Sequence, residues 1–451
     1  MAQDGNPRGV GRRTILKAGA GLAGLGAISA PALMIHAQAQ TGGFDWKKFK
    51  GEKIEVSHAK GPRGDLLQKY RKEFEELTGI SVGDEQIPEQ QQRQKVLIEF
   101  TSGKTTFDVV MIALHVQKKL AAKGNWLEDL RPYLKDAAMT APDYDWDDFA
   151  KSGVDYVTDA DGKIGSVPCN LDYFVLYWNK EIFQKAGVAY PKSYEEMVAA
   201  AKKLHDPKAG VSGWVGRGLK NANMTPWANF ILSWGKPYIE NGVLQTDTPA
   251  GIESADAYAR LVREQGPPGS VGFNWNECQS VFAQGRGAMW LDGIGFALPL
   301  EDPTKSRIVG KVGYGVYPPG PKAHATSLYG DGFGISRTTQ KKGAAWLYCQ
   351  WATSKLMQAR QLQGGYGSPP RKSAYSNPDV VAQFRSQREF LDAMLESAKI
   401  AKPGLPEIVA VTEFRDILGI GLTNIIGGAD AATELKRATA EFKPILDKEN
   451  A

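Results

Sequence analysis

Several short stretches of the 451-residue chain approach motifs that carry chemistry, and each lacks what its chemistry needs. Ser102-Gly103-Lys104-Thr105 resembles the end of a phosphate-binding loop, but Ile98 stands where that loop requires its first glycine. Gly19-Ala20-Gly21-Leu22-Ala23-Gly24 fits the dinucleotide pattern, but no strand is predicted before it. The sequence has no HExxH or GxSxG motif, and its histidines show no metal-ligand spacing. We therefore expect a protein without catalysis, cofactor or metal, and we keep an exported enzyme as the alternative.

The charge of the chain argues against two classes of partner. The formal net charge is +5, and residues 1–39 supply +3 of it through four basic residues against one acidic residue. The rest of the chain carries only +2 and contains no dense run of Lys or Arg. Binding to nucleic acid or to an anionic membrane is therefore not expected.

The N-terminus is typical of a twin-arginine export signal. Arg12 and Arg13 precede a weakly hydrophobic stretch at 18–35, and Ala37-Gln38-Ala39 suits cleavage after Ala39. An uncleaved membrane anchor is the alternative, but the stretch is rich in Gly and Ala and is a poor membrane span. The prediction is a signal peptide at 1–39 and a mature chain that lies in the periplasm without stable membrane insertion.

The first part of the mature chain alternates between strand and helix patterns. The predicted elements are a strand at 53–58, a helix at 65–78 capped by Asp65, a strand at 80–87, a helix at 91–101 and a strand at 107–112. This alternation favours an α/β domain with a largely parallel sheet. Ligands of such sheets bind beyond the carboxyl ends of the strands, which points to the loops at 58–63 and 113–116.

Helical patterns dominate the later part of the chain. Ser193 and Glu196 have the spacing of a capping box at the start of a helix. Further helices are predicted at 181–186, 225–234, 249–265, 274–284, 343–353, 378–400 and 429–442. The three cysteines, Cys169, Cys278 and Cys349, are far apart and odd in number, and we predict three free thiols.

Several ordered blocks of residues resemble a known family. They are Phe107–Met111, Gly124–Leu130, Gly162–Pro168 with Leu176–Lys180, Phe282–Met289, Val312–Val316 and Gly330–Ser336 with Ala344–Trp346. In this order they resemble the family 1 extracellular solute-binding proteins of ABC importers, the group that includes maltose-binding protein. The resemblance covers about residues 50–445 and rests on the order of the blocks, since each block alone is weak.

The resemblance implies a two-lobed α/β fold of the type II periplasmic binding proteins, with each lobe discontinuous in sequence. Lobe one would comprise 44–167 plus 313–365, and lobe two 168–312 plus 366–451. The chain would cross between the lobes near 167–172 and 313–317. A ligand would lie in the cleft between the lobes, hinge closure would trap it, and the permease subunits of an ABC transporter would receive it.

The resemblance also implies which residues hold the ligand. Carboxylates accept sugar hydroxyls well, and Asp172, Asp292 and Asp331 lie at cleft positions of the family. Asp172 could instead be a solvated hinge charge, and Tyr173 beside it could pack within its strand. His58, Lys60, Arg63 and His115 lie on the two loops above, where the histidines could equally be structural and Arg63 could face solvent.

Aromatic residues and one further arginine complete the predicted site. Trp227 and Phe296 occupy stretches where the family stacks an aromatic ring on a sugar. Ile294 stands where the family usually has a Trp, which leaves Phe296 or Trp290 as the stacking candidates in this segment. Arg371 could bind ligand or bridge the lobes. The carboxylates favour a neutral carbohydrate or polyol, while Lys60, Arg63, Arg217 and Arg371 leave a sugar acid or polyol phosphate open.

Overall fold

The structure is a computed structural model that describes residues 43–379 and 388–450, all within one compact unit. The predicted export signal lies outside the described residues, as does part of the helix predicted at 378–400. Of the described helices, none combines the length and the apolar character that crossing a membrane requires.

Eleven strands are described. They are β1 (Lys53–Ala59), β2 (Ser81–Ile87), β3 (Val109–Ala113), β4 (Val167–Asn179), β5 (Ser212–Val215), β6 (Ile239–Glu240), β7 (Val243–Leu244), β8 (Gly287–Gly293), β9 (Val312–Val316), β10 (Thr326–Ile335) and β11 (Ala401–Pro403). Nine of them form one sheet in the order β2-β1-β3-β10-β4-β8-β5, with β11 beside β10 and β9 beside β4. The sheet is mixed, because β10 runs antiparallel to β3 and β4. The expected parallel pairing holds for β1 with β2 and β3 and for β5 with β8.

Helices cover the sheet and alternate with its strands. They are α1 (Pro62–Thr78), α2 (Glu89–Ser102), α3 (Leu114–Gly124), α4 (Arg131–Lys135), α5 (Lys151–Val157), α6 (Lys180–Ala186), α7 (Tyr194–Leu204), α8 (Met224–Ser233), α9 (Pro249–Gln265), α10 (Trp275–Ala283), α11 (Lys342–Ala352), α12 (Lys355–Gln363), α13 (Lys372–Ser376), α14 (Arg388–Ile400), α15 (Val411–Ile426) and α16 (Ala431–Asn450). Short 3-10 helices occur at Trp146–Asp148, Ser270–Gly272, Ile294–Phe296 and Leu298–Leu300.

Two local predictions are corrected by the structure. Helix α1 begins at Pro62, so Asp65 lies in its first turn and is not its cap; proline suits the first helical position because its missing N–H needs no partner there. Ser193 caps α7, but Glu196 accepts from the Lys192 N–H. The complete capping box lies at Asn274 and Glu277.

Strand β4 links the two halves of the sheet. Its residues Val167–Tyr173 pair with β10, and its residues Phe174–Asn179 pair with β8 and β9. We use "lobe one" for β1, β2, β3 and the elements packed on them, and "lobe two" for β5, β8, β9 and theirs. A large apolar core in lobe two includes Trp214, Trp227 and Phe230, and another in lobe one includes Phe74 and Trp346.

The contacts of two further segments bear on the predicted lobe boundaries. Residues 313–316 of the segment predicted to return to lobe one lie in β9, which pairs with β4. Arg371 forms a β-bridge with Phe149, and the Pro370 carbonyl accepts from the Ala150 N–H.

Candidate functional site

An arginine–carboxylate pair forms the lobe-one side of the candidate site. Arg63 lies in the first turn of α1, beyond the carboxyl end of β1, and its Nη2 donates to Asp331 of β10. Burial alone would lower the pKa of Arg63, but Asp331 and Asp172 raise it above its ordinary value. The Arg63 Nε is buried without a hydrogen-bond partner among the described residues. This guanidinium therefore keeps a fixed position and retains donor capacity.

Asp172 lies on the same face of the sheet as Asp331. In the β4–β10 register, Asp172 is opposite Tyr329, and Asp331 is opposite Asn170. Because opposite residues of paired strands point to one side, all four side chains share a face. The Gly295 N–H donates to Asp172 Oδ1 at 2.9 Å. Burial raises the pKa of both carboxyl groups, and Arg63 opposes that effect.

A second arginine–carboxylate pair forms the lobe-two side. Arg217 donates through Nε (2.9 Å) and Nη2 to the two carboxylate oxygens of Asp292 in β8. The Trp290 indole N–H and the Gly293 N–H also donate to Asp292, at 3.1 and 2.8 Å. Arg217 Nη1 donates to the Thr225 hydroxyl at 3.1 Å. The pair is almost completely buried, with side-chain exposures of 9% and 0%.

Charged residues that the sequence did not single out lie near these pairs. Glu89 and Arg93 form an ion pair on α2, and Arg415 of α15 donates to the Asn221 carbonyl at 3.1 and 3.2 Å. Arg93 lowers the pKa of Glu89, and Arg415, Arg217 and Arg63 lower it further. Burial and Arg93 lower the pKa of Arg415 to about 10. The i,i+4 spacing of Glu89 and Arg93 was visible in the sequence, whereas Arg415 belongs to no motif.

His115 adjoins this group of charges. It lies in the first turn of α3, its Nδ1 is 3.4 Å from the Gly330 carbonyl oxygen, and its ring packs edge-on against Tyr329. Burial, Arg93 and Arg415 lower its pKa well below the ordinary value. The imidazole is therefore neutral at physiological pH. We call Arg63, Glu89, Arg93, His115, Asp172, Arg217, Asp292, Asp331 and Arg415 the cleft cluster.

Phe296 lies at the edge of the cleft cluster. The Arg217 guanidinium lies 5.7 Å from its ring centroid. Its ring stacks on Trp275, with centroids 4.8 Å apart and planes 9° apart. It also packs against Trp290, with centroids 6.0 Å apart. The ring is therefore engaged by protein groups, and both Phe296 and Trp275, a residue that the sequence did not suggest, are half-buried.

Three predicted site residues are not brought to the cleft cluster. His58 is completely buried in β1, with Nε2 2.6 Å from Asp84 Oδ1. Trp227 lies in the lobe-two core, where its indole N–H donates to Ser254 at 3.0 Å. Arg371 donates to the Thr353 carbonyl at 2.6 Å and pairs with Asp148 inside lobe one. The burial of His58 fits the structural role that the sequence left as its alternative, whereas Arg371 contacts lobe one alone and Trp227 packs in the core of lobe two.

Two other predicted residues lie near the cluster without joining it. Lys60 is exposed in the turn between β1 and α1. Tyr173 is buried in β4, and burial raises the pKa of its phenol. Ligand contacts of all the predicted residues remain predictions.

The cleft cluster offers hydrogen bonding of both polarities from nearby positions. Guanidinium groups only donate, and ionised carboxylates only accept. A hydroxyl group does both, so adjacent hydroxyls can bridge an arginine and an aspartate. The described residues contain no group of three or more His, Cys, Asp or Glu side chains placed to hold a metal ion. This arrangement of donors and acceptors suits a polar ligand.

Comparison with known proteins identifies the class of protein that this fold and site define. The model of the bacterial extracellular solute-binding protein family matches residues 59–359, and the chain belongs to this family. The erythritol/L-threitol-binding protein of Mycolicibacterium smegmatis is 26% identical, and the alignment covers 96% of each chain.

Solved structures agree in fold. An ABC transporter solute-binding protein of Agrobacterium radiobacter in complex with ribitol has a TM-score of 0.80 at 27% identity, covering 88% of this chain and 99% of that one. The maltose-bound MalE3 of T. maritima has a TM-score of 0.77 at 23% identity, covering 87% and 99%. The predicted two-lobed α/β fold is confirmed, and the chain is a solute-binding protein of the ABC transporter type.

Proposed function

We propose that this protein captures a small neutral polyhydroxy compound, a polyol or a carbohydrate, by closure of its two lobes. It would be exported by the twin-arginine route, act in the periplasm and deliver its ligand to the permease subunits of an ABC importer. The proposal includes no catalysis and no cofactor. The lobes would join after Tyr173, between β9 and β10, and between α13 and α14, as the pairing of strands favours.

One observation carries this proposal: carboxylates and guanidinium groups alternate in the cleft cluster. Asp172 and Asp331 are acceptors beside the Arg63 donors, and Asp292 orients Arg217 on the opposite lobe. A chain of vicinal hydroxyls can satisfy both kinds of group, whereas an apolar ligand would leave the buried Arg63 Nε donor without a partner.

The relatives support the same class of ligand. A protein similar over nearly the whole chain is named for erythritol and L-threitol, and a solved structure at 27% identity holds ribitol. All three compounds are acyclic polyols. The stacking of Phe296 on Trp275 leaves less aromatic surface for a sugar ring, which also favours polyols.

A sugar acid or polyol phosphate is the second candidate, and Arg415 favours it. This buried guanidinium donates to a backbone carbonyl and forms no ion pair with a described carboxylate. An anionic ligand group could neutralise it. The carboxylates of the cleft cluster oppose such a ligand, because they would repel its charge. They are Glu89, Asp172, Asp292 and Asp331.

A thermal-shift panel tests the proposal. The purified protein is heated with erythritol, ribitol, mannitol, the matching pyranose sugars, aldonic acids and polyol phosphates. A ligand present at 100 times its dissociation constant should add about 2.7 kcal/mol to the free energy of unfolding. We expect the largest shift from a neutral polyol or sugar. Larger shifts from the anionic compounds would favour the second candidate, and no shift from ligand-stripped protein would overturn both.

A further inference from the structure

The crossing between the lobes contains a buried polar cluster that the ligand contacts do not require. Asn229 of α8 is completely buried in lobe two, and its Oδ1 accepts from the Ser327 N–H at 2.8 Å and from the Ser327 hydroxyl at 3.1 Å. The Thr326 hydroxyl lies 3.0 Å from the same oxygen and 2.8 Å from the Phe174 carbonyl oxygen, and it donates to one of them at a time.

These four residues lie where β4 and β10, the two strands proposed to run between the lobes, meet lobe two. Phe174 is the first residue of β4 that pairs inside lobe two. Thr326 and Ser327 begin β10, and β11 pairs with both of them. We call Phe174, Asn229, Thr326 and Ser327 the hinge clamp. It ties both main crossing strands to one helix of lobe two.

A second polar contact, with Ser368, holds β4 on the lobe-one side. The Asn170 side-chain oxygen accepts from the Ser368 N–H at 2.9 Å, and the Leu171 N–H donates to the Ser368 carbonyl at 2.9 Å. Between this contact and the hinge clamp, three residue pairs of β4 and β10 remain: Leu171 with Gly330, Asp172 with Tyr329, and Tyr173 with Leu328. The middle pair carries Asp172, a proposed ligand contact.

We propose that Asn229 is a positioning residue for ligand capture: through the hinge clamp it confines bending between the lobes to the three pairs around Asp172 and Tyr329. This inference rests on the proposed function, because it concerns closure around a ligand. Buried polar groups that satisfy one another hold a local geometry strongly, since each would be costly to bury alone.

The clamped helix also reaches the lobe-two side of the cleft cluster. The Tyr329 hydroxyl donates to the Thr225 carbonyl at 3.0 Å, and Arg217 donates to the Thr225 hydroxyl at 3.1 Å. Thr225 and Asn229 lie one turn apart on α8. Helix α8 therefore holds the crossing strands and also supports Arg217. Movement at the crossing changes the position of Arg217, a proposed ligand donor.

Spin labels on the two lobes test this inference. Lys104→Cys and Lys208→Cys place labels at exposed positions of lobe one and lobe two, while the three native cysteines are buried. Pulsed electron resonance then gives the distribution of label distances without ligand and with ribitol, erythritol or mannitol, whichever gives the largest thermal shift. Calorimetry gives the dissociation constant of the same compound.

Two variants weaken the hinge clamp, and one preserves it. Asn229→Ala removes the shared acceptor. Thr326→Val removes the hydroxyl in a side chain of similar shape and serves if the first variant does not fold. Thr326→Ser keeps the hydroxyl. We expect the weakening variants to broaden the ligand-free distance distribution and raise the dissociation constant about fivefold, the effect of one lost hydrogen bond. Thr326→Ser should match the wild type.

A purely structural role for the hinge clamp predicts a different result. If the weakening variants lower the midpoint of thermal unfolding but leave the distance distribution and the affinity unchanged, the inference is overturned. If none of the polyols binds the wild type, the proposed function fails, and the ligand-free distribution alone decides the inference.

Discussion

The two arginine–carboxylate pairs of the cleft cluster differ in how completely the protein satisfies them. Asp292 receives both bonds of Arg217 and two further donors, and Arg217 also reaches Thr225. Asp331 receives one bond from Arg63, whose side chain is 27% exposed and whose Nε has no described partner. Protein groups thus hold the lobe-two pair in place and orient Arg217, whereas the lobe-one pair leaves more of its bonding capacity for a ligand.

This difference indicates that the lobe-two pair mainly supports the fold, whereas the lobe-one pair mainly recognises the ligand. Removing one partner of a fully buried ion pair leaves a charge without compensation and costs stability. Removing a carboxylate that the protein satisfies only in part should weaken ligand binding more than it lowers the free energy of unfolding. The following changes test that division.

Asp292→Asn should have the largest effect, on stability. Arg217 would keep its buried charge without a counter-ion, and we expect the free energy of unfolding to fall by about 3–5 kcal/mol. Urea unfolding followed by circular dichroism measures it. Asp143→Asn, at an exposed carboxylate, is the matched control and should change little. A loss below about 1 kcal/mol for Asp292→Asn would show that the pair is not a structural support.

Asp172→Asn should act mainly on ligand affinity. The amide keeps an acceptor for the Gly295 N–H but loses the carboxylate charge. We expect binding of the best polyol to weaken by at least about 1.5 kcal/mol, the value of a hydrogen bond to a charged group. Calorimetry measures the dissociation constant, again beside Asp143→Asn. Unchanged affinity would remove Asp172 from the site.

Arg63→Lys should have a smaller effect on the same affinity. Lysine keeps a positive charge for Asp331 but lacks the planar fork and the Nε donor of arginine. We expect a loss of about 1 kcal/mol in ligand binding with little change in unfolding. If stability fell as much as it does for Asp292→Asn, the two pairs would not differ in the way described.

The pH dependence of binding should be the smallest effect near neutrality. His115 is neutral there because its pKa is well below the ordinary value, so affinity should stay constant between about pH 6 and pH 8. Burial raises the pKa of Asp172 and of Asp331. As the pH falls, these two carboxylates are therefore protonated before ordinary carboxylates are, and they then lose acceptor capacity. Calorimetric titrations from pH 4 to pH 8 should show a decline only at the acidic end. A step near pH 6.5 would assign a titrating histidine to the site.

The sequence predicted the fold because its evidence was periodic and ordered. Alternating strand and helix patterns and the order of the motif blocks each spanned many residues, and they led to the α/β class and the two lobes. The antiparallel β10 was missed, because the direction in which a strand enters a sheet leaves no periodic signal.

The site was predicted less completely, for a different reason. Arg63 follows β1, and Asp292 is the next-to-last residue of β8. Asp172 and Asp331 lie within the paired strands β4 and β10, which place them on one face. Trp227 lies inside α8 and Arg371 directly precedes α13, and packing buries both side chains in the lobe cores. Arg415 lies in α15, a segment in which the sequence shows no motif. It reaches the cleft cluster only because α15 packs on lobe two. A local pattern cannot show which neighbour fills the space beside a side chain.

A crystal structure of the protein with the best-binding polyol tests the central claim most directly. The account predicts polyol oxygen atoms within hydrogen-bond distance of Asp172, Asp331 and the Arg63 guanidinium, with Arg217 donating from the opposite lobe. His58, Trp227 and Arg371 should make no contact with the ligand. A polyol bound away from Arg63 and Asp331, with their ion pair unchanged, would contradict the account.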